Sequence, residues 1–284
     1  MRRIDLHTHS TASDGTMTPT ELVRHAKSHS IAAIALTDHD TASGLDEAYA
    51  EAKRLGVELV GGIEFSVQSD TETHILGLFI DHKHPKLLET LDKVVETRAL
   101  RTANICNNLR KLGFDITLDE VYALAPSGRV GRVHFARIMV EKGYISSVKE
   151  GFERYLGMGK PAFDSTQALT AREAVETINA IGGLSFVAHP HLIGLPEQEL
   201  ILLLSRLKEH GLDGIEAYYN DFTPEMQAYF NSLAEEMGLA VCGGTDFHAQ
   251  NKPHIEIGIG QGYTEIPYSV LERLKVLHDE KFNK

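Results

Sequence analysis

The sequence predicts an α/β fold: a (β/α) barrel whose strand–helix alternation is interrupted by an inserted helical subdomain. Three observations carry this. Seven short apolar segments read as buried strands, helical patterns fill most of the intervals between them, and the stretch from about 85 to 165 carries helical patterns without a convincing strand. Alternation implies a parallel sheet, open or closed, and the repeated units favour a barrel.

The strand candidates are Ile4–His7, Ala32–Thr37, Val57–Gly61, His74–Ile80, Leu184–His189, Gly214–Tyr218 and Leu239–Gly243. Most are β-branched or apolar runs bounded by Gly or polar residues. Thr18-Pro19-Thr20-Glu21 opens the first helix with a cap, a first-turn proline and an acid close behind. Similar patterns fill 43–55, 170–181, 197–210, 223–237 and 267–280. Residues 86–112 read as one long helix, with helical patches at 118–125, 131–143 and 147–156. The expected division is therefore a barrel of residues 1–84 and 166–284 and a helical insertion of 85–165.

The 284 residues, 42% hydrophobic, can bury a sizeable core, which must rest on Leu, Ile, Val and Ala because Trp is absent. A net charge of −12 argues against loose binding of long nucleic acid. It leaves room for a nucleotide or short oligonucleotide at a metal site, where bound cations reverse the local sign. Cys106 and Cys242 lack metal-type spacing and do not read as a disulfide framework. No signal-peptide core or membrane-length apolar run is visible, so the cytoplasm is the expected location and no membrane partner is expected. Of 15 histidines, His25, His29, His82, His84, His210 and His278 lie in polar helical stretches and read as surface residues.

Seven of the remaining nine histidines fall in five elements. Asp5-Leu6-His7-Thr8-His9 places two imidazoles at i and i+2 on a strand end, half a site for a divalent transition metal. Asp14 follows in a Ser-Asp-Gly turn. Thr37-Asp38-His39-Asp40 flanks a candidate ligand, His39, with carboxylates that orient ligands, although simple solvation of Asp40 is equally open. In Gly61-Gly62-Ile63-Glu64 the glycines are expected to turn tightly and present Glu64, able to bridge two metals, at a strand end; His74 opens the next strand. His189 closes an apolar strand, with Pro190 stopping pairing and exposing the imidazole, and His191 beside it lining the pocket. Gly243-Gly244-Thr245-Asp246-Phe247-His248 repeats the strand–glycine–ligand pattern. Each element alone is weak. In a barrel, however, the C-terminal strand ends converge on one face. The combined set is His7, His9, Asp14, His39, Glu64, His74, His189, Asp246 and His248. Nine N/O ligands suit two or three divalent ions, Mn first, with Fe or Zn as alternatives.

The stretches DLHTHSTASDG, LTDHD, GGIE, the His74 strand, AHP and GGTDFH resemble the PHP (polymerase and histidinol phosphatase) family, in family order and over most of the chain. The resemblance implies a distorted seven-stranded α/β barrel, a trinuclear centre on the nine residues above, and Glu64 as a bridging ligand. Asp14 stands where many members have His, which places the chain nearer a branch with SDG after the first motif and implies a weaker or differently occupied third site. That branch includes nucleotide phosphoesterases and a short-oligonucleotide 5′-to-3′ exonuclease. Gly131–Arg137 and Gly159-Lys160-Pro161 resemble its insertion, making Arg132, His134 and Lys160 candidates for substrate phosphate, with surface charge or helix capping equally open. One departure is His189-Pro190-His191-Leu192, where such relatives carry an HPGR-like stretch.

The implied reaction is hydrolysis of a phosphate ester by a hydroxide bridging two ions. The substrate would be a nucleoside 3′,5′-bisphosphate or the 5′ end of a short oligoribonucleotide. Asp246 is a candidate to accept the proton of the attacking water, and His134 or Asp38 to protonate the leaving group. The alternative is a small-metabolite phosphatase of histidinol phosphate type. No G-x-S-x-G or phosphate-cradling G-x-x-x-x-G-K-[ST] motif is present. No lysine at a strand end suits a carbamylated bridge, which lowers metal-dependent amide hydrolysis.

Overall fold

The computed structural model describes residues 2–69, 71, 73–125, 130–166, 168–261 and 264–283. The chain divides into two compact units. The first takes in Met1–Val67, Thr71–Leu91 and Leu169–Lys284; the second, Gln68–Asp70 and Asp92–Ala168.

The first unit is built on a seven-stranded sheet whose strands lie in chain order: β1 (Arg3–Thr8), β2 (Ile31–Leu36), β3 (Glu58–Ser66), β4 (His74–Leu78), β5 (Leu184–Val187), β6 (Gly214–Tyr218) and β7 (Ala240–Gly243). The outer edge of β1 is met by the chain just after β7: Thr8 bridges Phe247, and the His9 amide donates to the Phe247 carbonyl at 2.9 Å. Helix α1 (Pro19–Ser28) packs on β2 and α2 (Leu45–Leu55) on β3, and the two helices pack on each other. Thr18 caps α1 as its sequence announces, its hydroxyl accepting from the Glu21 amide and Glu21 accepting from the Thr18 amide. Gly56 ends α2 in the left-handed region at φ 63°.

One strand departs from the parallel expectation. β4 runs antiparallel to both β3 and β5. Only residues 67–73 join β3 to β4, too few for a crossover helix, so the chain must turn back. The reversal brings the first residue of β4 opposite the last of β3, Ser66 pairing with His74. His74 therefore shares an edge with the C-terminal ends of the parallel strands.

The interior face is apolar. Ile4, Leu6, Ala33, Ala35, Val60, Leu76, Leu78, Leu184 and Phe186 pack with Val270, Leu271 and Leu274 of a C-terminal helix, Tyr268–Phe282. At roughly 25 cal/mol per Å² of apolar surface, each fully buried Leu or Ile here contributes about 2 kcal/mol. β1 carries a bulge: Asp5 pairs with Ile34 but Thr8 with Leu36, three steps against two. The extra residue breaks the strand's regular alternation at Leu6 and His7, both of which are fully buried.

The second unit is helical, with no strand among the described residues of 92–168. The long helix Pro85–Lys111 enters it, followed by Leu118–Ala123, Arg132–Glu141, Val148–Gly151 and a π-helical turn, Phe152–Leu156. Its core gathers Ile105, Leu109, Ile116, Val121, Phe135, Met139 and Leu156. Among the described residues, no helix is long and apolar enough to cross a membrane.

Candidate metal centre

Glu64 is the hub of the site. It lies inside β3, two residues before the strand's end, so Gly61 and Gly62 make no turn. They serve close packing instead: a Cβ on Gly62 would stand 2.7 Å from the Gly77 carbonyl oxygen and from Thr37 Cγ2. Glu64 is fully buried, and its two oxygens face different imidazoles. Oε2 lies 3.2 Å from His7 Nε2, 3.3 Å from His9 Nε2 and 2.9 Å from His39 Nδ1. Oε1 lies 2.9 Å from His74 Nδ1 and 3.0 Å from His189 Nε2.

Asp246 closes the opposite side. Its Oδ1 is 3.2 Å from His9 Nε2, 3.6 Å from His7 Nε2 and 3.3 Å from His248 Nδ1. Asp14 completes an outer cluster, 3.2 Å from His248 Nε2 and 3.9 Å from both His9 Nδ1 and His39 Nε2. Asp14 is exposed, the other carboxylates buried. The nine ligand candidates thus lie in one place, as three overlapping groups: His7, His9, Glu64 and Asp246; His9, Asp14, His39 and His248; His39, Glu64 and His74. His189 joins through Glu64.

Neighbouring acceptors set the tautomers. His7 Nδ1 is 3.1 Å from Glu216 Oε1, so Nδ1 carries the proton and Nε2 turns its lone pair inward. His248 Nδ1 is 2.7 Å from the Asp246 carbonyl, which can only accept, and again Nε2 is left for the site. Three buried atoms, His7 Nε2, His9 Nε2 and Glu64 Oε2, make no well-formed hydrogen bond. Each such atom ordinarily costs about 1–3 kcal/mol. A divalent cation coordinated by all three would satisfy them, and the imidazole–carboxylate donor set suits Mn, Fe or Zn.

The electrostatics are those of anions and imidazoles held together. Burial pushes the Glu64 carboxyl up, but His39, His7 and His74 overcome it and hold the group well below the usual carboxylate range. Asp246 behaves alike: burial is overcome by His7, His9 and Lys252. Burial lowers His39, and Glu64 and Asp14 reverse this, raising it to about 9.

The surrounding carboxylates are fixed in place. Asp38 Oδ1 accepts from the Ser10 amide at 2.8 Å and the Ser13 hydroxyl at 2.6 Å, and Oδ2 from the Ser10 hydroxyl at 2.7 Å. That arrangement holds the loop between His9 and Asp14. Asp40 is buried rather than solvated and accepts from the Ser66 amide at 3.0 Å. His189 is buried too, contrary to the exposure expected from Pro190, because Pro190 begins a 3-10 turn that packs inward. Asp40, His189 and Asp246 all adopt left-handed backbone, at φ 51°, 30° and 55°. Such strain in non-glycine residues persists only where the surroundings enforce it.

The residues expected to contact substrate belong to the helical unit. His134 accepts from the Gly131 amide at 2.9 Å, a cap of its own helix. Arg132 has its guanidinium 5.5 Å from the Phe152 ring centre and 5.3 Å from that of Phe163. Lys160 is exposed.

Sequence reasoning missed three residues around the centre: Glu216, Tyr219 and Lys252. Glu216 is fully buried on β6 and also accepts from the His189 amide at 2.8 Å. A lone carboxylate inside the apolar run Gly-Ile-Glu-Ala-Tyr was the available signal. Tyr219 and Lys252 both donate to Asp246 Oδ2, at 2.7 and 2.6 Å; neither carries a local signal. Thr245 donates its amide to Asp5 Oδ1 at 2.9 Å, and the Gly258 amide reaches Asp5 Oδ2 at 2.8 Å, fastening β1 to the chain after β7.

A family model described as the PHP domain matches residues 5–158. A 5′-3′ exoribonuclease of Haemophilus influenzae is 38% identical over 248 residues, 87% of this chain and 90% of that protein. A 3′,5′-nucleoside bisphosphate phosphatase of Chromobacterium violaceum is 34% identical over 260 residues, 91% of each. Among solved structures, an amidohydrolase from Chromobacterium violaceum, holding sulfate and no metal, superposes with TM-score 0.82 at 32% identity over 96% of both chains. A metal-dependent phosphoesterase from Bifidobacterium adolescentis gives TM-score 0.80 at 26% identity over 97% of this chain and 96% of that one.

Proposed function

The chain belongs to the PHP domain family of metal-dependent phosphoesterases, and on that premise we propose that it hydrolyses a phosphate ester of a nucleotide-type substrate. The substrate is a nucleoside 3′,5′-bisphosphate or the 5′ end of a short oligoribonucleotide, a reading supported by relatives named as a 3′,5′-nucleoside bisphosphate phosphatase and a 5′-3′ exoribonuclease. The centre holds two or three divalent ions, manganese first, through His7, His9, Asp14, His39, Glu64, His74, His189, Asp246 and His248. The observation that carries this is the division of Glu64, one oxygen toward His7, His9 and His39 and the other toward His74 and His189. When bound, such ions supply an ionised water nucleophile and neutralise charge on the phosphoryl oxygens.

The protein's own groups prepare that chemistry. Glu216 keeps His7 in the tautomer that points Nε2 inward. Tyr219 and Lys252 occupy Oδ2 of Asp246 and leave Oδ1 for the site. An aspartate held so firmly ionised is a weak base, so ligation and positioning come before proton transfer in its role. With both oxygens spent on Ser10 and Ser13, Asp38 positions the Asp14 loop in preference to acting as an acid. Arg132, His134 and Lys160 contact substrate phosphate, with His134 the remaining candidate acid. The free cysteines Cys106 and Cys242 fit a reducing compartment such as the cytoplasm.

The test is a panel of adenosine 3′,5′-bisphosphate, short 5′-phosphorylated oligoribonucleotides and histidinol phosphate, offered to chelated protein with and without added manganese. Manganese-dependent release of phosphate or nucleotide from the first two is expected. Preference for histidinol phosphate would overturn the substrate assignment, and no hydrolysis of any phosphoester would overturn the reading. Arg132→Ala and Lys160→Ala should raise KM more than they lower kcat; unchanged kinetics would remove those residues from the site.

A further inference from the structure

Apart from the centre above, the described residues hold one more group of ligand-type side chains, His25, His29 and Glu256. We propose that these three form a second, separate metal site that takes a transition ion of zinc type.

The two histidines lie four residues apart at the end of α1, so they share a face one turn apart, with ring centres 4.1 Å apart. His29 Nδ1 sits 2.9 Å from the His25 carbonyl oxygen. A carbonyl only accepts, so Nδ1 carries the proton and Nε2 offers its lone pair. Glu256 comes from the other end of the chain. Its amide donates to the Gly260 carbonyl at 2.9 Å, and its Oε1 accepts from the Ile257 amide at 3.0 Å, so a tight turn holds the carboxylate still. Oε1 is 3.0 Å from His25 Nε2 and 3.9 Å from His29 Nε2. Ligand bonds of about 2.05 Å at tetrahedral angles separate donor atoms by roughly 3.3 Å, between the two observed spacings.

An ion pair between His25 and Glu256 alone gives no reason for the second imidazole. An ion does: it replaces the shared proton, engages the Nε2 lone pair of His29, and leaves outer positions for water. It would cross-link the last turn of α1 to the loop behind the catalytic centre. His25 also lies nearly parallel to the Phe247 ring, centres 5.3 Å apart at 10°, and Phe247 separates Asp246 from His248. The ion would therefore brace the segment that carries two ligand candidates of the main centre.

The test is equilibrium dialysis of the full chain against buffered free zinc, with bound metal read by mass spectrometry. It does not depend on the nature of the substrate. His29→Gln and His25→Gln should each lose one zinc per chain, or weaken that one ion by at least on the order of tenfold. His210→Gln, a surface control, should keep the wild-type number. Manganese-supported hydrolysis by His29→Gln at saturating metal should match wild type, and its circular dichroism should be unchanged. Should a histidine variant fail to fold, Glu256→Gln provides the same readout. Wild-type zinc stoichiometry and affinity in the folded variants would overturn the proposal.

Discussion

Glu216→Gln tests the logic of the centre without touching a ligand candidate. Glu216 is fully buried and takes two donors, the His7 ring at 3.1 Å through Oε1 and the His189 amide at 2.8 Å through Oε2. Glutamine has nearly the same shape but only one acceptor oxygen. If that oxygen keeps the His189 amide, the glutamine NH2 faces the Nδ1–H of His7, and two donors oppose each other. His7 relieves the clash by moving its proton to Nε2, the atom that should bind metal. The buried mismatch costs about 1–3 kcal/mol. Losing a carboxylate behind a metal-bound histidine typically weakens affinity about 10–100-fold, roughly 1.4–2.7 kcal/mol. The assay is hydrolysis of adenosine 3′,5′-bisphosphate against free manganese. The half-saturating manganese concentration should rise by that factor, while kcat at saturating metal stays within a few-fold of wild type. Glu235→Gln, an exposed carboxylate on the helix Pro224–Met237, should behave as wild type. An unmoved manganese requirement in Glu216→Gln, or a fall in kcat alone, would refute the argument that Glu216 works through His7.

Metal binding should expel protons. His39, raised to about 9, is protonated at pH 7.5 without metal, so binding heats should depend on the buffer's ionisation enthalpy; heats independent of buffer between pH 6.5 and 9 would contradict this. By the same shift, His39 contributes stability to the metal-free fold below its unfolded value near 6.5, and that contribution is lost as pH rises through 9. Melting of chelated protein should therefore fall across that window, and a flat profile would count against it. Manganese at about 100 times its Kd should stabilise the fold by about 2.7 kcal/mol, visible as a higher Tm that chelation reverses; an unshifted Tm would mean no tight site. Gly244→Ala places a Cβ 2.7 Å from His7 Cα. Backbone must move there, at a cost of about 1–3 kcal/mol or more, so both Tm and manganese affinity should drop; wild-type melting would show the approach to be looser than described.

Much of the centre was legible because its ligands sit where local pattern changes. His39, His189 and Asp246 each follow an apolar run, and such runs are readable from hydrophobic periodicity alone. Position along a strand was less legible. Glu64 looked terminal because Gly61 and Gly62 resemble turn residues, whereas in the sheet they are positions with no room for a side chain. The direction of β4 was hidden by the strand bounds: with the preceding strand read as ending at Gly61 the connection spanned 62–73, whereas β3 runs to Ser66 and leaves only 67–73. His189 was read as exposed from its immediate neighbours and solvation was left open for Asp40, and packing from other parts of the chain buried both.

What the sequence determined by itself is the α/β alternation, the helical interruption, and the residue types available for a multi-ion centre. These depend on short-range periodicity and composition, which any window of the chain carries. Only the tertiary structure decided which atoms meet. The β1 bulge falls at Leu6 and His7, the reversal of β4 carries His74 to the ligand edge, and contacts across more than 200 residues join Asp5 to Thr245 and Glu216 to His7. A bulge or a closing contact is set by the balance of packing around the whole sheet. No local stretch contains that balance, so Tyr219 and Lys252 could be recognised only once the sheet had brought them to Asp246, and the partners of Glu216 only once β6 lay beside them.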